Sequence, residues 1–258
     1  MCTIITLFQV HPTFPLVIAA NRDERYDRPS SGPSRLIQPA ATVAGRDLRF
    51  GGTWFGVNRY GLAVAVADQE PAPGPPAPRS RGLLVLDALG CPDSAAVRQL
   101  LARVPPQDYQ PFSLLYATPH EAWLGHHTAS GVQLQALAPG LHVLVSSRGS
   151  DHAARRQQHI MAQLTPSYLV TLAAEPLVET LTAVLRDHAA GDQNAAICRH
   201  GSEAGTVSSF VVLLTPTGVG SVFRCADGPP CRAPYVDHSP LLAETLVPVS
   251  PPVPQRES

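Results

Sequence analysis

The stretch CTIITLFQV at 2–10, followed by HPTFP at 11–15 and LVIAANRDE at 16–24, decides how the fold is read. Residues 2–10 are β-branched and apolar and read as a strand. The two prolines of HPTFP break pairing and mark a turn. LVIAA at 16–20 reads as the returning strand. With the turn at HPTF, Val10 faces Pro15 and paired positions sum to 25, which sets Cys2 opposite Asp23. Directly paired residues of an antiparallel ladder have Cβ atoms ~4.5–5.5 Å apart. The spacing therefore predicts a thiol and a carboxylate together at one sheet end. A one-residue slip of register would turn the side chains over.

A cysteine in second place has a chemical meaning. A small residue after the initiator permits removal of Met1. The freed α-amine, with a pKa of about 7.7–8.0, then lies close to a thiol at about 8.5. One residue supplies both nucleophile and base. Asp23 is expected to orient or protonate that amine. Arg22 is expected to lower the thiol pKa and to hold an anionic substrate group. The competing reading makes Cys2 a small buried hydrophobe and Asn21-Arg22-Asp23-Glu24 a solvated strand end.

Outward from this hairpin, 24–40 reads as loop and GGTWFGVNRYGLAVAVAD at 51–68 as two short strands around an Asn-Arg-Tyr-Gly turn. EPAPGPPAPR at 70–79 is an exposed extended loop. Helices are expected at 82–89 and 92–104, with Asp93 or Ser94 capping the second. Strands follow at 112–118, 121–127, 132–138 and 140–147, then helices at 151–164 and 176–189, then strands at 207–215 and 219–226. Strand runs separated by paired helices suit an α+β domain of two sheets covered by helices on their outer faces. The domain is expected to span 1–246, with 247–258 a Pro-rich disordered tail.

Composition removes several functions. The net charge is −1, and all 19 basic residues are Arg. That balance argues against a nucleic-acid binder, which needs a basic face, and without Lys neither Schiff-base chemistry nor a P-loop is available. The five cysteines, at 2, 91, 198, 225 and 231, are an odd, sparse set and not a disulfide framework. Cys225 and Cys231 read as buried thiols more readily than as a bridge. No apolar run approaches a membrane span and no secretory signal is visible, so a cytoplasmic location is expected.

Cys2, ANRDERYDRP at 20–29 and GGTWFGVNRYGL at 51–62 together resemble the NRDE family of transport and Golgi organization protein 2 homologue-like proteins. AGRD at 44–47 and GTVSS at 205–209 resemble later blocks of the same family. That family is in turn similar to choloylglycine hydrolases and penicillin acylases, which are N-terminal-nucleophile amidohydrolases. The resemblance implies an αββα sandwich of two mostly antiparallel sheets, with Cys2 as nucleophile and Asp23 as the Asp that contacts it. It also aligns Asp68 with an oxyanion-hole Asn, Ser146 with a second Asn, and Val207 with a late Arg. A carboxylate at 68 stands where a developing oxyanion would need a donor.

The candidate catalytic residues are thus Cys2, Asp23 and Arg22. The candidate substrate-binding residues are Asn21, Trp54, Asn58, Asp68 and Ser146, with Trp54 an apolar pocket wall behind Gly51-Gly52. Asn58 with Gly61 is better read as a turn than as a site. No cofactor and no metal are expected. Adjacent His126 and His127 point to opposite faces of a strand, and C-x-x-C and H-E-x-x-H spacings are missing. Cys198 and His200 point the same way, at a site edge or in simple packing. Two functions follow from these residues. One is a cysteine amidohydrolase or acyltransferase acting on small acylated molecules. The other is a carrier that binds haem, acyl-coenzyme A or lipid without turnover.

Overall fold

The computed structural model describes residues 2–37, 40–70, 77–146 and 150–246. Two antiparallel sheets form its centre. The first hairpin is β1 (Cys2–Phe8) and β2 (Leu16–Arg25); β3 (Ser30–Leu36), β4 (Thr42–Asp47), β5 (Phe55–Asn58) and β6 (Ala63–Asp68) follow. Helices α1 (Arg81–Leu89) and α2 (Ser94–Leu101) lead into β7 (Phe112–Ala117), β8 (Ala122–Thr128), β9 (Gly131–Ala136) and β10 (Gly140–Val145). Then come α3 (Ser150–Gln163), α4 (Pro166–Leu169), α5 (Ala174–Leu185), β11 (Ala204–Leu214), β12 (Val222–Ala226), β13 (Val236–Asp237) and α6 (Ser239–Thr245). One sheet has the order β10-β1-β2-β11-β12-β13, the other β3-β4-β5-β6-β7-β8-β9.

The period-two alternation of each strand divides the core. Ile4, Phe8, Ile18 and Ala20 meet Val57, Ala65 and Leu115 between the sheets. Ile5, Leu7, Val17 and Ala19 face the other way, onto Leu177, Leu181 and Leu185 of α5 and Ile160 of α3. Val64, Val66 and Leu114 pack against Leu84, Leu89, Val97 and Leu101 of α1 and α2. The layers are helix, sheet, sheet, helix, as expected for the α+β class. Asp93 caps α2 by accepting from the Ala96 N–H at 2.8 Å.

Three expectations need correction. The span 24–40 is not simply loop: β2 runs on through Arg25, and β3 is an edge strand whose Pro33 falls at a break in register between Ser31 and Ser34. β4 was not expected, and neither were β13 and α6. The hairpin register sums to 24, not 25, because the chain leaves β1 at Phe8 and re-enters at Leu16. Residues 71–76 of the Pro-rich loop and the tail at 247–258 lie outside the described residues. Among the described residues, no helix is long and apolar enough to cross a membrane.

Candidate functional site

The register places the site's side chains. Cys2 pairs with Arg22 across the β1–β2 ladder, so sulfur and guanidinium share the face that looks between the sheets. Asp23 is turned to the opposite, helix-covered face. There its Oδ1 accepts from Thr206 Oγ at 2.7 Å and its Oδ2 lies 3.9 Å from Arg156 of α3. The expected direct pairing of thiol and carboxylate is therefore replaced by a pairing of thiol and arginine.

A β-bulge makes the Asp23 contact. Above it, Ser208 pairs with Arg22 and Ser209 with Asn21. Continuing that register would set Val207 opposite Asp23. The bulge sets Thr206 there instead, bringing a hydroxyl onto a carboxylate that is 4% exposed. Burial pushes the Asp23 carboxyl up, while Thr206, Arg156 and Arg199 pull it down; the net shift is upward.

The main chain of Cys2 is held at β10. The Cys2 N–H donates to Ser146 Oγ at 2.7 Å, and the Ser146 N–H donates to the Cys2 carbonyl at 2.9 Å. Ser146 is buried and touches the nitrogen that would become the α-amine; it does not line the pocket on which Cys2 opens.

Cys2 opens on a pocket of about 340 Å³ walled by Arg22, Trp54, Asp68 and Arg81, with Arg28 and Asp47 nearby. Arg22 is 4% exposed, lies 4.1 Å over the Trp54 ring and donates to Ser30 Oγ at 3.1 Å. Trp54 reaches that position because residue 45 of the AGRD block is glycine: a Cβ there would lie 2.7 Å from the indole. Asp47 of the same block anchors Arg28 at 2.6 Å and accepts from the Arg49 N–H at 3.0 Å. Arg28 also reaches Glu24 at 2.7 Å, and Arg81 pairs with Asp68 at 3.1 Å. Most of the pocket's charge is thus internally paired.

Burial pushes the Cys2 thiol up to about 11; Asp68 and Asp23 add to the rise and Arg22 opposes it. The expected lowering by Arg22 is present but outweighed. At neutral pH the group is a thiol, so attack on a carbonyl needs a base.

Two expected binding residues are structural. Asn21 is fully buried on the helix side, donating to the carbonyls of Leu185 at 2.8 Å and Ile197 at 3.0 Å. Asn58 donates to Leu89 and Cys91 carbonyls and accepts from the Tyr60 and Leu62 N–H groups, so it closes its turn and ties it to α1. Neither lines the pocket. Arg81 and Thr206 were missed: nothing local in sequence marks a residue whose partner arrives from another element.

A second cleft of about 840 Å³ shares Asp23, Glu24 and Asp68 with the first, and His188, Cys198 and His200 line it. No metal ligands were expected, yet His188, Cys198, His200 and Cys231 converge, with ligand atoms all within 4.8 Å of one another. Two loops supply them, so the short Cys198-x-His200 spacing announces only half of the set. Cys225 is a buried free thiol on β12, and the near neighbour of Cys231 is Cys198. His126 bonds Ser113, and His127 stacks on Phe112.

Residues 1–219 match the model of the family described as Transport and Golgi organisation 2. The mouse Transport and Golgi organization 2 homolog is 34% identical over 92 residues, which span 33% of this chain and only 33% of that protein. Among solved structures, the Caenorhabditis elegans N-acylethanolamine-hydrolyzing acid amidase ortholog is similar with a TM-score of 0.55 at 12% identity, covering 83% of this chain and 93% of that one. An arginine-to-leucine variant of the conjugated bile acid hydrolase from Clostridium perfringens gives 0.53 at 12% identity, covering 92% of each chain. These likenesses show the fold, which is that of the N-terminal-nucleophile hydrolases.

Proposed function

Because the chain belongs to the Transport and Golgi organisation 2 family, with the fold of N-terminal-nucleophile hydrolases, we propose that it is an N-terminal-cysteine amidohydrolase or acyltransferase for small acylated molecules. The observation that carries this reading is the position of Cys2: its sulfur borders a pocket of about 340 Å³ while its nitrogen is held at 2.7 Å by Ser146. Removal of Met1 turns that nitrogen into an amine. The amine takes the thiol proton, and sulfur attacks the acyl carbon. The same proton passes to the leaving nitrogen as the carbon–nitrogen bond breaks, and water or an acceptor amine then releases the acyl group from sulfur. Arg22, across the ladder from Cys2, supplies positive charge to the substrate's anionic part.

A pocket of about 340 Å³ suits a small molecule. The test is the intact mass of purified protein followed by labelling with an acyl-type electrophile. Loss of the methionine mass and faster labelling at Cys2 than at a peptide thiol support the proposal. Retained Met1, or labelling no faster than the peptide, overturns it.

A second reading is favoured by Asp68. A carboxylate that raises the Cys2 thiol, and that the family resemblance aligns with an oxyanion-hole Asn, suits a pocket that holds a ligand without turnover. Haem, acyl-coenzyme A or lipid would then be the occupant, in a cytoplasmic setting. Ligand binding indifferent to Cys2→Ala distinguishes this carrier from the enzyme.

A further inference from the structure

We propose that His188, Cys198, His200 and Cys231 form a closed tetrahedral zinc site that clamps the loop between α5 and β11 to the loop between β12 and β13. The distances fit that ion. Cys198 Sγ lies 3.6 Å from Cys231 Sγ and 3.7 Å from His200 Nε2, and His200 Nε2 lies 3.2 Å from Cys231 Sγ. With Zn–S of about 2.3 Å and Zn–N of about 2.0–2.1 Å, the edges of a tetrahedron are about 3.3–3.8 Å. Three edges are already in place. The fourth ligand, His188, stacks its ring on His200 with centroids 5.1 Å apart, and its ligand atom lies within 4.8 Å of the other three.

Two sulfurs and two imidazoles are a zinc donor set, softer than calcium or magnesium accept. On binding, each thiol gives up its proton to solvent, and two thiolates neutralise the dication. With four protein ligands no position is left open for water, so the ion is structural.

The chain around the site supports the same conclusion. Residues 186–203 connect α5 to β11 without a helix or strand of their own, a length that compact domains usually fasten somewhere. His188, Cys198 and His200 come from that connection, and Cys231 comes from the other loop. The clamp also reaches the candidate site. Arg199, between two ligands, donates its N–H to Thr206 Oγ at 2.9 Å, and Thr206 Oγ donates to Asp23 at 2.7 Å. Zinc would therefore act as a positioning element for the strand that carries the Asn-Arg-Asp-Glu string.

The experiment is metal analysis of untagged full-length protein purified under reducing conditions without chelator, followed by replacement of the metal with cobalt. One zinc per chain is expected. The cobalt form should show thiolate-to-metal charge transfer that falls by half in Cys231→Ser. Zinc affinity in that variant should drop by more than the about 10–100-fold that outer partners typically contribute. Zinc content should be unchanged in Cys2→Ala, which separates this proposal from the reading of the Cys2 pocket. Cobalt added to the unaltered protein without any thiolate band overturns the proposal even if the variants fail to fold. A Cys198–Cys231 disulfide surviving in the reduced preparation overturns it as well.

Discussion

The guanidinium of Arg22 lies 4.1 Å above the indole of Trp54, directly across the ladder from Cys2. Both side chains face between the sheets, so the pocket's cation is held flat against its aromatic wall. Lysine cannot spread over a ring in this way or keep the contact to Ser30. Arg22→Lys should lose about 0.5–2 kcal/mol of unfolding free energy. The fluorescence of Trp54, read in a Trp123→Phe background, should shift to the red. Unchanged fluorescence and unchanged urea midpoint would show that the stack carries no weight.

Thr206 is the hydroxyl that the bulge brings to Asp23. Thr206→Val keeps shape and removes the donor from a buried carboxylate, at a cost of about 1–3 kcal/mol. Thr206→Ser should stay within about 1 kcal/mol of the parent. Equal losses for the two variants, measured by chemical denaturation, would mean that the methyl group and not the hydroxyl matters.

Gly45 underlies Trp54. A Cβ at 45 would sit 2.7 Å from two ring carbons of the indole and 3.0 Å from the Ser31 carbonyl. Gly45→Ala should therefore destabilise by about 1–3 kcal/mol and narrow the Cys2 pocket. A thermal melt together with labelling of Cys2 by a bulky and a small electrophile checks both, the bulky one being slowed more.

Asp47 gives a pH signature. Burial works to raise its carboxyl, but Arg28 and the N–H groups of Arg49 and Phe50 prevail and hold it below the ordinary carboxylate range. The folded value lies below the unfolded one of about 3.9, so its contribution is complete above about pH 4. It disappears as pH falls through the lower folded value. Asp47→Asn should be less stable than the parent at pH 7, with the two curves converging in acid. A constant offset down to pH 2 would exclude this account.

Once Met1 is removed the freed amine speeds labelling, but in a chain that keeps Met1 the Cys2 thiol, pushed up to about 11, should be alkylated slowly at neutral pH. Its rate should climb about tenfold per pH unit well beyond the point where an ordinary thiol levels off near about 8.5. Asp68 is among the groups that raise it, so Asp68→Asn should speed labelling at pH 8. A plateau below pH 9 in the parent, followed by mass spectrometry, would contradict the burial described.

Much of this architecture is legible in the residues. Long apolar strands such as β7 and β11 and the capped α2 announce themselves through periodicity and Asp93. β3, with Gly32 and Pro33, and the two-residue β13 carry too little pattern to be read as strands. The hairpin's existence was readable, but its register was not. One residue in how the chain turns between Phe8 and Leu16 decides which face Asp23 takes, and turn geometry is the weaker signal. Arg81, Thr206 and the Cys198–Cys231 pair answer to long-range topology, on which local spacing is silent. Asn21 and Asn58 were expected as binding residues; their amides are spent on main-chain carbonyls of neighbouring elements.

The alternation of β2 splits its four-residue string into two interleaved pairs. Asn21 and Asp23 fasten the helical layer, while Arg22 and Glu24 look into the cleft that holds the sulfur. A descendant of this chain can abandon chemistry at the even positions while the odd ones still hold its shape, so the string certifies ancestry of the scaffold more than survival of a reaction.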